Sequence, residues 1–142
     1  MFTHPLPDEE SYLVHVAPYA QRHFIKRFAR DYPGRRWTVT LNSIREDLSR
    51  VRALTGTSQV DELRQGNGCW LVKYDFAVAL SHQSPKASGN RCLVFLDALA
   101  HQLQILLVYG KGDLPKNCGE TDYLFKVMRG EYPELLARLG PQ

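Results

Sequence analysis

The stretch WLVKYDFAVAL, residues 70–80, carries the clearest structural signal in the chain. Large apolar side chains recur at every second position from Trp70 to Leu80, while Lys73 and Asp75 fall on the intervening positions. A period of two is typical of a β-strand, because successive side chains point to opposite faces of the sheet. We therefore predict one long strand over 70–80.

Two more β-rich runs follow this strand. RCLVFL at 91–96 comes after a loop at 81–90 that holds nearly every turn-forming residue type. LQILLVY at 103–109 follows a second turn near 97–101 and is apolar enough to be a central strand. Three strands in succession predict an antiparallel meander sheet.

Helices are predicted on both sides of the meander in the sequence. Residues 12–17 form a short β-rich run that meets Pro18, after which aromatic residues recur every four positions, as in an amphipathic helix. Apolar residues then step by four and three from Trp37 to Val51, which indicates a second helix. We expect these two helices to form an antiparallel hairpin, and a last helix to begin near Thr121.

Length and composition limit the organisation of the chain. With 142 residues, 44% of them hydrophobic, it can bury one ordinary core but is too short for two independent domains. We predict a flexible N-terminal lead over 1–11 and a single α+β domain over 12–142. Neither a run of about 18 apolar residues nor a signal-peptide pattern is present, so we expect a cytoplasmic protein with no membrane partner.

The cysteines argue against metal and disulfide chemistry. The chain has three, at Cys69, Cys92 and Cys118, which is an odd number with wide spacing. That pattern fits neither a disulfide framework nor the close pairs of a structural zinc site. We therefore expect reduced thiols, no metal and no cofactor.

Basic residues are concentrated in one part of the chain. The formal net charge is only +3, from 18 Lys and Arg against 15 Asp and Glu, so position matters more than the total. These residues, which we call the basic helix face, could bind RNA phosphates, or they could be the solvated side of a helix with no further role. Its members are Arg22, His23, Lys26, Arg27, Arg30, Arg35 and Arg36.

The order of strand, helical hairpin, meander and terminal helix resembles the RelE/HigB superfamily of bacterial toxins, with its RelE/ParE-like fold. Details extend the likeness over roughly residues 12–132: a basic amphipathic helix around FIKRF at 24–28, a Gly-x-Arg entry to a strand at 89–91, and VYGK at 108–111 before the last helix. Most members cleave mRNA on the ribosome. The resemblance implies a toxin that is a ribosome-dependent endoribonuclease, with the ribosome, mRNA and a cognate antitoxin protein as partners, and it allows a homodimer.

Cleavage of RNA by its own 2′-hydroxyl needs a base, an acid and cations around the phosphate. By resemblance, Arg91 matches the position that meets the scissile phosphate in many relatives, and Lys73 matches a strand lysine near the reacting groups. Both residues also have a purely structural interpretation. Arg91 could pair with Asp97 or another acid, and Lys73 could form a salt bridge across the sheet.

Further candidates lie at strand ends and in loops. Lys111 stands between two glycines, where the backbone can come close to a phosphate. His82 is the one histidine that we predict as a base or acid, and Lys86 in the same loop is predicted to contact RNA. Tyr109 and Tyr123 could stack on a base or donate a proton, although such tyrosines are usually half-buried in a core.

Two other functions remain open. A non-enzymatic member of the same fold could arrest growth by binding a protein target such as gyrase, as the ParE branch of the superfamily does. A generic binding module would have no toxicity, and Arg91 and Lys73 would then be structural. Because a fold does not determine a function, the choice depends on the site.

Overall fold

The computed structural model describes residues 1–7 and 11–141, and its centre is one five-stranded mixed sheet. The strands lie in the order β1-β5-β4-β3-β2. β1 is parallel to β5, and the other neighbours are antiparallel. Together with the helices, this sheet confirms the predicted α+β class. The strands are β1 (Leu13–Val16), β2 (Val60–Gly66), β3 (Cys69–Phe76), β4 (Asn90–Asp97) and β5 (Gln102–Gly110).

Helices precede and follow the meander, as predicted. The first is continuous but changes its hydrogen bonding, with π-helical geometry between two α-helical parts. No helix in the described ranges is long and apolar enough to cross a membrane. The helices are α1 (Pro18–Ala20, Gln21–Ile25 and Lys26–Asp31), α2 (Arg35–Ser49), α3 (Pro85–Ser88), α4 (Glu120–Glu131) and α5 (Pro133–Arg138), with short 3₁₀ turns at Val51–Leu54 and Lys111–Asp113.

The alternation along β3 divides the core into two parts. Val72, Tyr74 and Phe76 pack with buried side chains of α1 and α2, such as Phe28 and Trp37. The intervening positions point to the opposite face of the sheet, where the buried side chains of α4 pack. Candidate residues on these positions are therefore directed toward α4 and away from the helical hairpin.

The sheet corrects the predicted meander, which has four strands and not three. β2 was missed because six of its seven residues are only half-buried, so this edge strand has no strong apolar alternation. β3 also ends at Phe76, four residues before the predicted end. Leu80 has a positive φ of 67° and is 77% exposed, so the apolar alternation continues past the point where the chain leaves the sheet.

The N-terminal segment contacts the domain over its described part. Leu6 is only 4% exposed, and the Phe2 amide donates a hydrogen bond of 2.8 Å to the Thr55 carbonyl. The side chain of Glu62 on β2 accepts hydrogen bonds from Thr3 and from the His4 amide. Residues 1–7 of the predicted flexible lead therefore pack against the sheet, and residues 8–10 lie outside the described residues.

Gly66 tests the packing of the chain's end against the sheet. A Cβ at this position would collide with the Leu139 carbonyl oxygen and would lie 3.0 Å from its carbon. We expect Gly66→Ala to lower the free energy of unfolding by about 1–3 kcal/mol in urea titrations, because backbone has to move. Gly56→Ala is the matched control, since nothing lies within 4 Å of a Cβ there, and should change stability by less than about 0.5 kcal/mol. Equal effects of the two substitutions would contradict this packing.

Candidate active site

A cluster of polar side chains lies on the α4 side of the sheet. Strand register places Asp75 opposite Arg91 and Arg91 opposite Tyr109, so three neighbouring strands present these side chains in one row. Lys73 lies two residues before Asp75 on β3 and points to the same face. Glu120, the first residue of α4, reaches this row from above the sheet. We call these five residues the Glu120 cluster.

The carboxylate of Glu120 is the centre of this cluster. Lys73 Nζ donates to its Oε1 at 3.0 Å, and Arg91 Nη1 donates to its Oε2 at 3.0 Å. The Tyr109 hydroxyl also donates to Oε2, again at 3.0 Å. Arg91 also contacts a second acid, because its Nε donates to Asp75 Oδ1 at 2.9 Å. One anion is thus held by donors from three adjacent strands.

Burial makes these contacts necessary. Arg91 is 7% exposed, Asp75 is 3% exposed and Tyr109 is fully buried. A charge removed from water is tolerated when it is paired and hydrogen-bonded, and here each buried charge has a partner of opposite sign. Burial by itself would lower the pKa of Arg91, but the hydrogen bond to Asp75 and the charge of Glu120 outweigh burial and raise it. Arg91 is therefore permanently cationic.

The same contacts set the protonation states of the other two groups. Burial would raise the pKa of Glu120, but the hydrogen bonds from Lys73 and Tyr109 outweigh it and bring the pKa below its ordinary value. Glu120 is therefore ionised at neutral pH. Burial and the neighbouring Glu120 charge raise the pKa of Tyr109 far above its usual range, so its hydroxyl keeps its proton.

The two leading sequence candidates are thus brought together, and both are paired with acids. Arg91 pairs with Asp75 and Glu120, whereas Asp97 pairs with Arg138 at the far end of β4. Lys73 Nζ also lies 3.9 Å from Asp61 on the neighbouring strand, which is a salt bridge across the sheet. Both residues therefore have structural partners, as their alternative interpretation expected, and they share one of them.

The tyrosine candidates differ in what they offer. Tyr109 was predicted to contact RNA, and its complete burial excludes stacking on a base in this conformation, so its hydroxyl is the part that matters. Tyr123 is half-buried on α4, and its ring meets the Tyr109 ring edge-on at 6.5 Å. Tyr123 thus supports the ring of Tyr109 from the helix side.

The loop candidates are exposed and stand apart from the Glu120 cluster. Lys111 is exposed, and its aliphatic chain lies beside Gly89, 3.5 Å from the point that a Cβ on this glycine would occupy. Because Gly89 immediately precedes β4, Lys111 lies at the end of that strand where Arg91 is. His82 and Lys86 are also exposed, in the loop between β3 and β4. Within the described residues, no hydrogen bond or ion pair joins either side chain to the Glu120 cluster.

The basic helix face is only partly available for a ligand. Both terminal nitrogens of Arg27 donate to the Asp113 carboxylate, and the contact from Nη2 to Oδ2 is 2.7 Å long. Arg36 Nε donates to the Ala79 carbonyl at 3.1 Å. These two arginines therefore have partners within the fold, and their role as RNA contacts stays a prediction. The exposed members that form no ion pair or hydrogen bond with another described residue are Arg22, His23, Lys26 and Arg35.

The sequence analysis missed Glu120 as a site residue. It is an acid at a helix N-terminus, where acids are common, so nothing in the local pattern marks it as a partner of distant strands. Asp75 carried a weak signal, because it shares a strand face with Lys73. Within residues 1–7 and 11–141, no group of three His, Cys, Asp or Glu residues is placed to hold a metal ion.

Glu120 predicts a specific dependence of stability on pH. Because its pKa in the folded chain lies below the ordinary value of 4.5, the unfolded chain takes up this proton first as the pH falls. The stabilisation by ionised Glu120 is thus complete well above pH 4.5 and is lost as the pH falls through the folded-state pKa. We expect the difference in unfolding free energy between the wild type and Glu120→Gln to shrink over this acid range in urea titrations. A constant difference would contradict the assignment.

Comparison with known proteins returned no match: no family model, no curated protein and no solved structure matches this chain. Any proposal for function therefore rests on the chemistry of the Glu120 cluster and on the resemblance to the RelE/HigB superfamily in the order of helices and strands.

Proposed function

We propose that this chain is the toxin of a toxin–antitoxin pair and acts as a ribosome-dependent endoribonuclease on mRNA. The observation that carries the proposal is the meeting of a lysine, an arginine and a tyrosine hydroxyl from three adjacent strands around one anion. Preorganised donors of this kind are what a phosphate needs when negative charge develops on it. The resemblance to RelE/HigB toxins gives the anion its proposed identity as an RNA phosphodiester.

The proposed reaction is attack of a ribose 2′-oxygen on the adjacent phosphorus, as the 2′-hydroxyl proton passes to a solvent water. The bond from phosphorus to the 5′-oxygen breaks, leaving a 2′,3′-cyclic phosphate and a 5′-hydroxyl. Lys73 and Arg91 offset the charge that develops on the phosphate oxygens. Tyr109 holds its proton at neutral pH and is the donor for the leaving 5′-oxygen.

One exposed cation, Lys111, lies near the cluster, and three others lie on α1 and α2, which pack on the other face of the sheet. Lys111 follows β5 directly after Tyr109 and Gly110, so it lies at the same end of the sheet as Arg91. Arg22, Lys26 and Arg35 are exposed on the helical hairpin. Unpaired lysines and arginines supply most of the sequence-independent affinity for nucleic acid. An antitoxin would silence the toxin by covering this basic helix face with an acidic or amphipathic segment.

One observation favours a second candidate, a non-enzymatic toxin that binds a protein such as gyrase. In the Glu120 cluster, the charges of Lys73 and Arg91 are balanced by those of Asp75 and Glu120. A site without excess positive charge attracts RNA weakly. In this alternative the cluster stabilises the fold, and another surface binds the target.

Induced expression in a bacterial host, with growth curves and mapping of mRNA 5′ ends, tests the proposal. We expect the wild type to arrest growth and to cut translated messages. Lys73→Ala should lower the cleavage rate by about 10²–10³-fold, the usual cost of removing a donor to a developing oxyanion. Lys126→Ala is the control. Lys126 is exposed on α4 outside the cluster, so this substitution removes the same charge without removing a donor to the anion.

Arg91→Ala and Arg91→Lys complete the test. Since Arg91 is buried, each variant is first checked for cooperative unfolding. Lysine at this position keeps the positive charge but cannot contact Asp75 and Glu120 at the same time, as the guanidinium does. Growth arrest without new 5′ ends would replace the ribonuclease by a protein-binding toxin. Normal growth with folded wild type would leave a binding module without toxicity.

A further inference from the structure

We propose that Glu120 is an internal substitute for the substrate: its carboxylate occupies an anion site made by Lys73, Arg91 and Tyr109, and an RNA phosphodiester binds there in its place. This inference rests on the proposed function for the identity of the ligand. The site itself rests on the three contacts of 3.0 Å that converge on one carboxylate.

The three donors are held by contacts that do not involve Glu120. Arg91 keeps its hydrogen bond of 2.9 Å to Asp75, and its strand lies between two paired neighbours. Tyr109 is fixed by its burial and by the edge-on contact with the Tyr123 ring. Lys73 has Asp61 within 3.9 Å. The donors therefore stay in position when the carboxylate leaves.

The chemistry of the donors suits a phosphate. A lysine ammonium, an arginine guanidinium and a tyrosine hydroxyl all donate hydrogen bonds, and phosphate oxygens accept such bonds as carboxylate oxygens do. The charge balance also depends on Glu120. Lys73 and Arg91 have Asp75, Asp61 and Glu120 as acidic partners, so the local charge becomes more positive by one when Glu120 moves away.

The position of Glu120 in the chain allows it to move. It is the first residue of α4 and follows the segment after β5, so no other residue of α4 precedes it. Gly119 before it forms no side-chain cap on the helix, and the Glu120 side chain remains 20% exposed. Rotation of the Glu120 side chain releases its carboxylate and leaves both the sheet and the Tyr123 contact in place.

Binding measurements separate this role from catalysis. A short single-stranded RNA with 2′-O-methyl groups lacks the attacking hydroxyl, so it reports binding alone. We expect Glu120→Gln to bind this RNA about tenfold more tightly than the wild type at fixed ionic strength, a gain of about 1.4 kcal/mol. Inorganic phosphate should compete better for the variant as well. Adding Lys73→Ala to Glu120→Gln should remove the gain.

Asp122→Asn is the matched control. It removes one negative charge from the same turn of α4, and Asp122 is exposed and contacts none of the three donors among the described residues. Equal gains in Glu120→Gln and Asp122→Asn would overturn the proposal, because the effect would then be one of net charge. Weaker RNA binding by a folded Glu120→Gln would also overturn it, since Glu120 would then be needed to hold the donors.

The result is independent of RNA cleavage. If Glu120→Gln binds RNA more tightly while the wild type makes no cuts in cells, the anion site stands and the ribonuclease proposal fails. If phosphate binding rises but RNA binding does not, the inference that RNA displaces Glu120 is overturned. Thermal unfolding of each variant confirms that the compared chains are folded.

Discussion

The pairing of Arg91 with Asp75 and Glu120 joins three parts of the fold: the middle strand of the sheet, β3 and the start of α4. Arg91 lies on the middle strand of the sheet and is 7% exposed, so its charge is held away from water. Leaving such a charge without its partner costs about 3–5 kcal/mol. Asp75 ties the guanidinium to β3, and Glu120 ties it to the start of α4. This contact holds the start of α4 on the sheet, and the buried Leu124, Val127 and Met128 pack the rest of the helix there.

A second ion pair holds the chain that leads into α4. Arg27 on α1 pairs with Asp113, and Asp113 also accepts a hydrogen bond of 2.7 Å from the Gly110 amide. The hydrogen bond from Arg27 keeps the pKa of Asp113 below its ordinary value, so the pair is ionised at neutral pH. The loop between β5 and α4 is therefore fixed to the helical hairpin at its beginning and to the sheet at its end. Both attachments are electrostatic.

Stability and proposed chemistry use the same side chains. A cluster in which cations and carboxylates balance is a good structural element, because each buried charge is paired, but it attracts an anionic ligand weakly. The two roles are compatible when one carboxylate can leave, and Glu120 is the member placed at the end of an element. Asp75 lies within a paired strand and is 3% exposed, so it keeps Arg91 in position.

Apolar spacing predicted the strand around Val72 and the helix around Ile44, because burial of one face imposes that spacing. The strands around Val94 and Leu107 were predicted from continuous β-rich or apolar runs, and the last helix from the residues at its start. β2 lay outside this rule, since an edge strand needs little apolar alternation. The site, in contrast, depends on tertiary contacts. Strand register places the candidate side chains in one row, and α4 brings Glu120 from a distant part of the chain into contact with them. Such contacts leave no local pattern, because ion pairs between distant segments impose no spacing on either one.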